Sequence, residues 1–498
     1  MNDPIELDWL ARWATWDGAR TALIDATRDR RWTFAELFAA SCRLARLLAA
    51  RGVRRGDRLA VLAGNDVGFV PLFFATARLG AVLVPVNFRL APREIDHVLS
   101  DAAPALFLVS KAYEPTAAQL DPAHATIPRV AFDELEALAA RFDDGPTPWE
   151  ARFDDACMVL YTSGTTGAPK GAVITHQMIF WNSVSTGLGL DLTSADVTVS
   201  FLPFFHVSGW HVLNTPFLHR GATIVFLDKF DPGRVLELCA RHRVTVLFGV
   251  PTTMDAMARA PSFATTELRS VRFAIVGGEP MSLDLITTWQ SRGVAIRQGF
   301  GMTEVGPNCF SLDAKESVRK IGSIGRPNFY VDAKLVRDDG AECGVDEVGE
   351  LLLRGPAVTP GYWRNERATA EAIRDGWFHT GDLLRRDAEG FFFVAGRKKD
   401  MFISGGENVY PVEIERVLST HPKVREVAVI GVADPKWGEV GRAFVAPVEG
   451  ASLTEDEVLS FLSGKLARYK IPKSVVVRAE LPKSDSGKIL KRALKELS

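Results

Sequence analysis

One loop of this chain reads Tyr161-Thr162-Ser163-Gly164-Thr165-Thr166-Gly167-Ala168-Pro169-Lys170-Gly171, and it directly follows an apolar run at residues 157–160. Its three glycines allow the backbone to approach an anion closely, its hydroxyls add hydrogen-bond donors, and its lysine supplies positive charge. The composition therefore predicts a loop that cradles a polyphosphate. The spacing differs from the G-x-x-x-x-G-K-[ST] phosphate loop, because Pro169 stands before the lysine and Gly171 follows it.

On both sides of this loop, apolar runs that end in glycine or proline turns alternate with helical patterns. This alternation predicts an α/β architecture with largely parallel sheets, whose ligand sites lie beyond the carboxyl ends of the strands. The predicted strands are 58–62, 83–85, 197–201, 223–227, 244–248 and 273–276, and the predicted helices are 34–51, 69–79, 234–242 and 283–291.

The pattern changes after residue 320. Short predicted strands at 333–336, 349–354 and 390–395 indicate a small β-barrel, and strands at 427–430, 444–447 and 475–478 lie among helices in the last section. The prediction is a large N-terminal domain (1–396) of two α/β sheet subdomains plus the small β-barrel, and a small mobile α+β C-terminal domain (401–498). The charged run 397–400 between them is the predicted hinge.

Composition excludes several classes of protein. The chain has 498 residues, 47% of them hydrophobic, and a formal net charge of −2, so neither disorder nor a whole-protein field for nucleic acid is expected. The start is acidic and does not resemble a signal peptide. The apolar region 69–86 is interrupted by Arg78, Pro71 and Pro85, which predicts a buried helix and strand and no integral membrane segment. Five widely spaced cysteines predict reduced core thiols and a cytoplasmic protein.

Charge is unevenly distributed along the chain. Residues 468–498 contain nine basic and three acidic residues. Such a run is either a solvated face or a surface that meets an anionic ligand.

The loop at 161–171 resembles the phosphate-loop signature of the adenylate-forming superfamily, which includes acyl-CoA synthetases, adenylation domains and luciferases. Further motifs follow in the family's order, so that the resemblance covers essentially the whole chain. They are Gly277-Gly278-Glu279-Pro280, Gly299-Phe300-Gly301-Met302-Thr303-Glu304, Tyr362-Trp363-Arg364-Asn365, Trp377-Phe378-His379-Thr380-Gly381-Asp382, Gly396-Arg397-Lys398-Lys399-Asp400, Ser404-Gly405-Gly406-Glu407-Asn408-Val409-Tyr410-Pro411 and Pro482-Lys483-Ser484-Asp485-Ser486-Gly487-Lys488-Ile489.

The resemblance implies an acid–thiol ligase that works in two steps. A carboxylate attacks the α-phosphorus of ATP to give an acyl-adenylate and pyrophosphate, and the thiol of coenzyme A then displaces AMP. It implies that Lys488 is catalytic, that Thr303 contacts the α-phosphate and that Glu304 helps bind Mg²⁺. The implied phosphate-binding residues are Thr162, Ser163, Gly164, Thr165, Thr166, Gly167 and Lys170, and the implied adenine and ribose residues are Gly277, Gly278, Glu279, Gly299, Phe300, Gly301, Met302, Asp382 and Arg397.

In this superfamily the C-terminal domain rotates between the two steps, and the pivot matches Lys399. One orientation presents Lys488, and the other presents Ser404, Gly405 and Gly406 to the pantetheine of coenzyme A. The basic residues that are candidates for the coenzyme A phosphates are Arg442, Arg468, Lys470 and Lys473.

The segment 204–211 resembles the one that lines the acyl pocket in this family. His206, counted among the catalytic residues, occupies the place of a gating histidine, and Val207, Trp210 and Gly301 are the other predicted lining residues. The apolar character predicts a medium- or long-chain fatty acid, as in fatty acid metabolism, or a cinnamate-type aryl acid. A malonate-type dicarboxylate, which needs an added cation, a luciferase-like oxidoreductase and a catalytically dead binding protein are the alternatives. A homodimer is left open.

Overall fold

The computed structural model describes residues 7–162, 169–279, 281–483 and 488–497. Two α/β sheets precede the antiparallel part of the large domain, and in both of them most neighbouring strands are parallel, as the alternation predicts. One sheet has the order Arg129–Ala131, Leu106–Val109, Arg58–Leu62, Val82–Pro85, Ala156–Thr162 and Lys170–Thr175, and the other has the order Arg30–Thr33, Thr21–Asp25, Thr223–Phe226 and Val197–Ser200.

A third sheet joins parallel and antiparallel strands. Its antiparallel part begins at Gly306–Ser311 and includes the small β unit expected after residue 320. The order is Val246–Gly249, Phe273–Val276, Ala295–Met302, Gly306–Ser311, Ser323–Pro327, Phe392–Arg397, Trp377–Arg386, Gly349–Arg354 and Asp332–Val336, with Ile373–Arg374 beside Trp377–Arg386.

Helices cover the faces of these sheets. The helix Phe34–Ala50 shows why they form: Thr33 and Glu36 make a reciprocal capping box, and the face that carries Leu37 and Leu48 is buried. The α-helices are Trp9–Asp17, Phe34–Ala50, Phe69–Arg78, Pro92–Ala102, Glu114–Ala117, Leu135–Ala139, His176–Gly189, Val207–His211, Asn214–Arg220, Pro232–Arg241, Pro251–Arg259, Leu283–Ser291, Glu366–Ala372, Pro411–Leu418, Glu455–Leu462 and Lys491–Glu496.

The C-terminal part has its own mixed sheet and its own core. The two strands of the long hairpin, Val424–Asp434 and Gly438–Pro447, are longer than the predicted strands 427–430 and 444–447. The ladder of backbone hydrogen bonds continues through half-exposed polar residues that interrupt the apolar run. Leu494 of the last helix packs into this core. The sheet order is Glu407–Val409, Phe402–Ser404, Gly438–Pro447 and Val424–Asp434, and Ser474–Val477 lies parallel to Gly438–Pro447.

The apolar region 69–86 is the buried helix Phe69–Arg78 followed by the buried strand Val82–Pro85. Among the described residues, no helix is long and apolar enough to cross a membrane. The interrupting Arg78 is itself buried, and its guanidinium lies 2.5 Å from Asp8 Oδ2 and 3.1 Å from both Ser41 Oγ and the Thr147 carbonyl oxygen. A buried cation with these partners ties the first helix to the core.

The Asp8→Asn substitution tests this buried pair, because asparagine still caps the helix Trp9–Asp17 but leaves Arg78 without a compensating charge. We expect the free energy of unfolding to fall by about 3 kcal/mol, measured by denaturant titration of the intrinsic tryptophan fluorescence. The control is Glu371→Gln, which breaks the exposed pair with Arg367 and should leave the free energy of unfolding nearly unchanged, because water screens an exposed pair. Equal losses in the two variants would contradict the assignment.

Candidate active site

The strands on either side of the glycine-rich loop are paired, with Thr162 opposite Lys170. The Thr162 hydroxyl donates to the Lys170 carbonyl oxygen at 3.5 Å, and the Lys170 ammonium lies 5.5 Å from the centre of the Tyr362 ring. The strand pair therefore presents Lys170 at the base of the predicted phosphate site. The other residues predicted to bind phosphate lie outside the described residues, namely Ser163, Gly164, Thr165, Thr166 and Gly167.

A buried carboxylate lies on the other side of Tyr362. The Tyr362 hydroxyl donates to Glu304 Oε1 at 3.0 Å, and burial raises the pKa of Glu304 while the charges of Arg397 and Lys170 act to lower it. Thr303, next to it, is also buried. The sequence predicts no role for Tyr362, although this residue begins the motif Tyr362-Trp363-Arg364-Asn365. Its contact with Glu304 joins residues that are far apart in sequence, so only the folded structure shows it.

The donor set around Glu304 fits a magnesium ion that is shared with a nucleotide. Mg²⁺ is commonly held by one or two carboxylates together with substrate phosphates. Among the described residues, no group of three or more His, Cys, Asp or Glu side chains is placed so that it could hold a metal ion. A single carboxylate near the predicted phosphate loop is therefore consistent with this shared form of coordination.

The carboxylate of Asp382 is held by a cross-strand partner. Asp382 and Arg397 face each other on neighbouring strands, and Arg397 Nε lies 2.6 Å from Asp382 Oδ1. Asp382 Oδ2 is buried and accepts no hydrogen bond within the described part of the chain. Burial raises the pKa of Asp382 to about 6, against the opposing charges of Arg397 and Lys488. An unsatisfied buried acceptor of this kind suits a ligand hydroxyl such as those of ribose.

Lys488 reaches the same site from the C-terminal domain. Its Cε lies 3.9 Å from the position that a Cβ on Gly278 would take. Burial lowers the pKa of Lys488, and the charges of Glu279, Arg397 and Asp382 act on it as well. The described structure therefore has the lysine docked against the large domain. An antiparallel bridge between Lys483 and Ile489 supports the segment that carries it.

The predicted adenine residues follow or form two neighbouring parallel strands. Gly277, Gly278 and Glu279 follow the strand Phe273–Val276, whose neighbour Ala295–Met302 contains the residues from 299 to 302. A Cβ on Gly301 would lie 2.2 Å from the Pro307 backbone, so glycine is needed there for the close approach of the next strand. Packing thus accounts for Gly301 independently of its predicted ligand contacts.

Phe300 and its neighbours also have packing partners. The Phe300 ring lies 5.8 Å from that of Phe310 at a steep angle, on the core of the small β unit. A Cβ on Gly299 would come within 3.3 Å of the Phe310 carbonyl oxygen, and Met302 faces Gly306 across the strand pair. Their contacts with the nucleotide stay predictions.

His206 caps the helix Val207–His211. Its Nδ1 accepts the backbone N–H of Ser208 at 3.2 Å, so the ring proton of the neutral form is on Nε2. Burial and, to a smaller extent, the charge of Lys488 lower the pKa of His206 to about 4. His206 is therefore neutral near pH 7 and lies near the catalytic lysine candidate.

Two predicted acyl-pocket residues face the hydrophobic core. The Trp210 indole N–H donates to the Phe204 carbonyl oxygen at 2.6 Å, and its ring packs against Phe204 and Phe73. Val207 belongs to the same buried cluster. Trp210 is buried in this cluster, and its role in lining the acyl pocket stays a prediction.

The residues predicted to bind coenzyme A lie on the C-terminal domain. Ser404 pairs with Glu407, and Gly405 and Gly406 form the two-residue turn between them with φ values of +61° and +87°, which favour glycine.

The predicted phosphate ligands of coenzyme A have partners of their own in this arrangement. Arg442 Nε donates to Ser474 Oγ at 3.0 Å, and Lys470 is paired with Glu413. Lys399, the predicted pivot, is exposed between the strands Phe392–Arg397 and Phe402–Ser404. Binding of coenzyme A by these residues stays a prediction.

Comparison with known proteins decides the family. The family described as AMP-binding enzyme matches residues 10–363, and its C-terminal domain matches residues 413–488. This chain belongs to the AMP-binding enzyme family. A feruloyl-CoA synthase of Amycolatopsis sp is 43% identical over 459 residues, which are 92% of each chain. An indoleacetate–CoA ligase of Aromatoleum aromaticum is 38% identical over 501 residues, which cover 98% of this chain and 97% of the ligase.

The fold is that of a solved member. ATP-bound MatB from Rhodopseudomonas palustris is 33% identical, covers 99% of both chains and superposes with a TM-score of 0.92, whereas the apo form of MatB gives 0.82. The expected fold class is confirmed, and the chain is an acyl-CoA synthetase of the AMP-forming class, an acid–thiol ligase, as the resemblance implies.

Titration of Asp382 should appear in the pH dependence of ATP use. Protonation of Asp382 removes an acceptor for a ribose hydroxyl. We therefore expect kcat/KM for ATP to fall as the pH drops below about 6, the pKa of Asp382 in the free enzyme. Asp382→Asn should lower kcat/KM for ATP by about 10- to 100-fold, because it weakens charged hydrogen bonds, and should abolish this acidic limb. Steady-state kinetics from pH 5 to 8 measure both effects.

Asp332→Asn is the matched control for Asp382→Asn. Asp332 lies on the same β unit but pairs with Arg354 on the exposed surface. This variant should keep the wild-type pH profile. An acidic limb that persisted in Asp382→Asn would assign the titration to another group.

Proposed function

We propose that this synthetase activates a cinnamate-type aryl acid and transfers it to coenzyme A. The observation that carries the choice of acid is the uncharged lining of a narrow cavity beside the helix of His206, which in this arrangement has room for about one water molecule and must widen to admit an acid. Its lining residues are uncharged and include Ser208, Leu213, Asn214 and Phe248. An uncharged surface suits an aryl group and leaves a second carboxylate, as in malonate, without a cation. The 43% identical feruloyl-CoA synthase supports the same class of acid.

The first step joins two anions, so it depends on positive charge. The substrate carboxylate attacks the α-phosphorus of ATP, a new O–P bond forms, and the bond to pyrophosphate breaks. We propose that Lys488 neutralises charge on the attacking carboxylate and the α-phosphate, and that Lys170 binds the leaving phosphates. Thr303 donates to the α-phosphate. Asp382 and Arg397 hold the ribose, which fixes the α-phosphate relative to Lys488.

Magnesium completes the proposed set of charges. A bound Mg²⁺ would neutralise phosphate charge during the first step, and we propose that Glu304 holds it. The hydrogen bond from the Tyr362 hydroxyl orients the carboxylate, and the nearby Lys170 and Arg397 favour its ionised form.

In the second step the thiol sulfur of coenzyme A attacks the acyl carbon and a thioester bond forms. The bond between the acyl carbon and the bridging oxygen breaks, and AMP leaves with that oxygen. We propose that rotation about Lys399 withdraws Lys488 and brings the turn of Ser404, Gly405 and Gly406 to the site. The neutral His206 then borders the path to the acyl carbon. Arg442 and Lys470 would have to exchange their present partners for phosphates of coenzyme A.

We further propose that the reaction takes place in the cytoplasm, where ATP and coenzyme A are available. The five cysteines are free and buried, which agrees with a reducing compartment. The homodimer stays a prediction.

Lys488→Ala separates the two half-reactions. We expect the rate of adenylate formation to fall by about 100-fold or more, because a preorganised charge is lost from the transition state, while thioester formation from preformed acyl-adenylate is largely retained. Pyrophosphate exchange and a single-turnover thioester assay measure the two steps. Arg492→Ala removes an exposed charge from the nearby helix and should leave both steps intact. Equal loss of both steps in Lys488→Ala would refute its role.

The choice of acid is tested by an AMP-release assay with coenzyme A over cinnamates, benzoates, fatty acids of increasing length and malonate. We expect cinnamates to give the highest kcat/KM, and malonate to fall at least about 100-fold below them, because its second carboxylate would be buried without a partner. A fatty acid as the best substrate would replace the aryl proposal with the fatty acid alternative. Malonate as the best substrate would refute the uncharged pocket.

A further inference from the structure

Glu279 lies where the large domain meets the lysine of the C-terminal domain. It follows Gly278, whose φ of +87° turns the chain away from the strand Phe273–Val276. Lys488 Cε lies 3.9 Å from the position that a Cβ on Gly278 would take, so the lysine is docked beside the residue that precedes Glu279. Glu279 itself is exposed at this junction.

Among the described residues, the charges that act most strongly on the Glu279 carboxylate belong to the C-terminal domain. They are the lysines 488, 483 and 491, together with Glu415. Lys491 lies 2.6 Å from Glu415, and Lys483 lies 2.7 Å from Glu426, so both of these lysines already have acidic partners within their own domain. Among the charges that act on Lys488, that of Glu279 is the strongest. Glu279 is thus the large-domain counterpart of a basic surface on the C-terminal domain.

We propose that Glu279 is a positioning residue that holds the C-terminal domain in the orientation in which Lys488 is docked. Its consequence for rates rests on the proposed function. The carboxylate attracts Lys488 and, more weakly, Lys483 and Lys491 only while the two domains are in the present arrangement, and it loses this attraction when the domain rotates away. Glu279 therefore favours adenylate formation and does not assist the thioester step.

The strength of this attraction has to be modest. A synthetase that completes both steps must release the domain in every turnover, so a deeply stabilised docked state would slow the second step. Both Glu279 and Lys488 retain exposed surface, and water and salt weaken the attraction between them. We expect removal of the Glu279 charge to change the docking equilibrium by about tenfold, which corresponds to about 1.4 kcal/mol.

The kinetic test compares Glu279→Gln with Glu279→Asp and Asp284→Asn. Asp284 is an exposed acid five residues further on, and its variant controls for a general loss of negative charge. In single-turnover assays at low salt and saturating ATP, Glu279→Gln should slow adenylate formation by about tenfold and leave or speed the thioester step. Glu279→Asp should restore most of the rate, and Asp284→Asn should match the wild type.

Salt provides a second signature. Raising the ionic strength from about 0.05 M to about 0.5 M should slow adenylate formation more in the wild type than in Glu279→Gln, because the attraction is already lost in the variant. Equal slowing of both half-reactions by Glu279→Gln would overturn the proposal. So would a weaker apparent affinity for ATP with an unchanged adenylation rate, which would place Glu279 in nucleotide binding instead.

A structural test does not depend on turnover. Spin labels at Thr287→Cys and Lys495→Cys report the separation of the two domains, and the five native cysteines are buried. The wild-type background should show one dominant distance, and Glu279→Gln should add a second, different one. An unchanged distance distribution would overturn the proposal. If no acid in the panel releases AMP, the proposed function fails, yet this measurement still decides the role of Glu279.

Discussion

The ion pair between Asp382 and Arg397 joins the nucleotide site to the domain junction. Asp382 lies within the strand Trp377–Arg386, and Arg397 is the last residue of the strand Phe392–Arg397, after which the chain enters the predicted hinge. Because the carboxylate is buried, losing either charge would leave the other without compensation. The same contact therefore fixes one side of the proposed ribose site and the end of the large domain from which the proposed rotation starts.

Charged groups of both signs converge around this pair, and their balance depends on a ligand. Lys170, Arg397 and Lys488 approach the site, and burial raises the pKa of both Glu304 and Asp382. In the free protein, part of the charge is poorly solvated and Asp382 Oδ2 accepts no hydrogen bond from the described residues. A nucleotide supplies phosphates for the cations and hydroxyls for the carboxylate. Binding therefore stabilises the docked arrangement in which these groups are together.

Local pattern predicts much of the fold, and long-range contacts account for what it misses. The elements Arg58–Leu62, Phe273–Val276 and Leu283–Ser291 have the predicted bounds, because turn residues delimit a clear apolar pattern. The strand Val424–Asp434 is longer than predicted, since ladder hydrogen bonds continue where the pattern stops. For the site, ordered motifs identify Asp382 and Arg397, whose pairing the structure then shows.

Other features of the site arise only from tertiary packing. The contact between Tyr362 and Glu304 joins residues 58 positions apart, and the need for glycine at Gly301 comes from Pro307 on the next strand. Burial of Trp210 depends on partners far away in sequence. The motif that contains Glu279 indicates nucleotide binding. The C-terminal lysines around its carboxylate indicate domain docking, and only the folded structure brings these lysines near it.

Contacts between the two domains include several that are weak enough to break. Lys398 Nζ lies 2.8 Å from Asp338 on the exposed surface, and Arg416 donates to the Val394 carbonyl oxygen at 3.3 Å. Exposed charge pairs and single hydrogen bonds exchange readily with water, whereas a large apolar interface would fix one orientation. In the proposed mechanism Lys488 is present for one step and absent for the next, and an interface built partly from such contacts would allow a single site to serve both reactions.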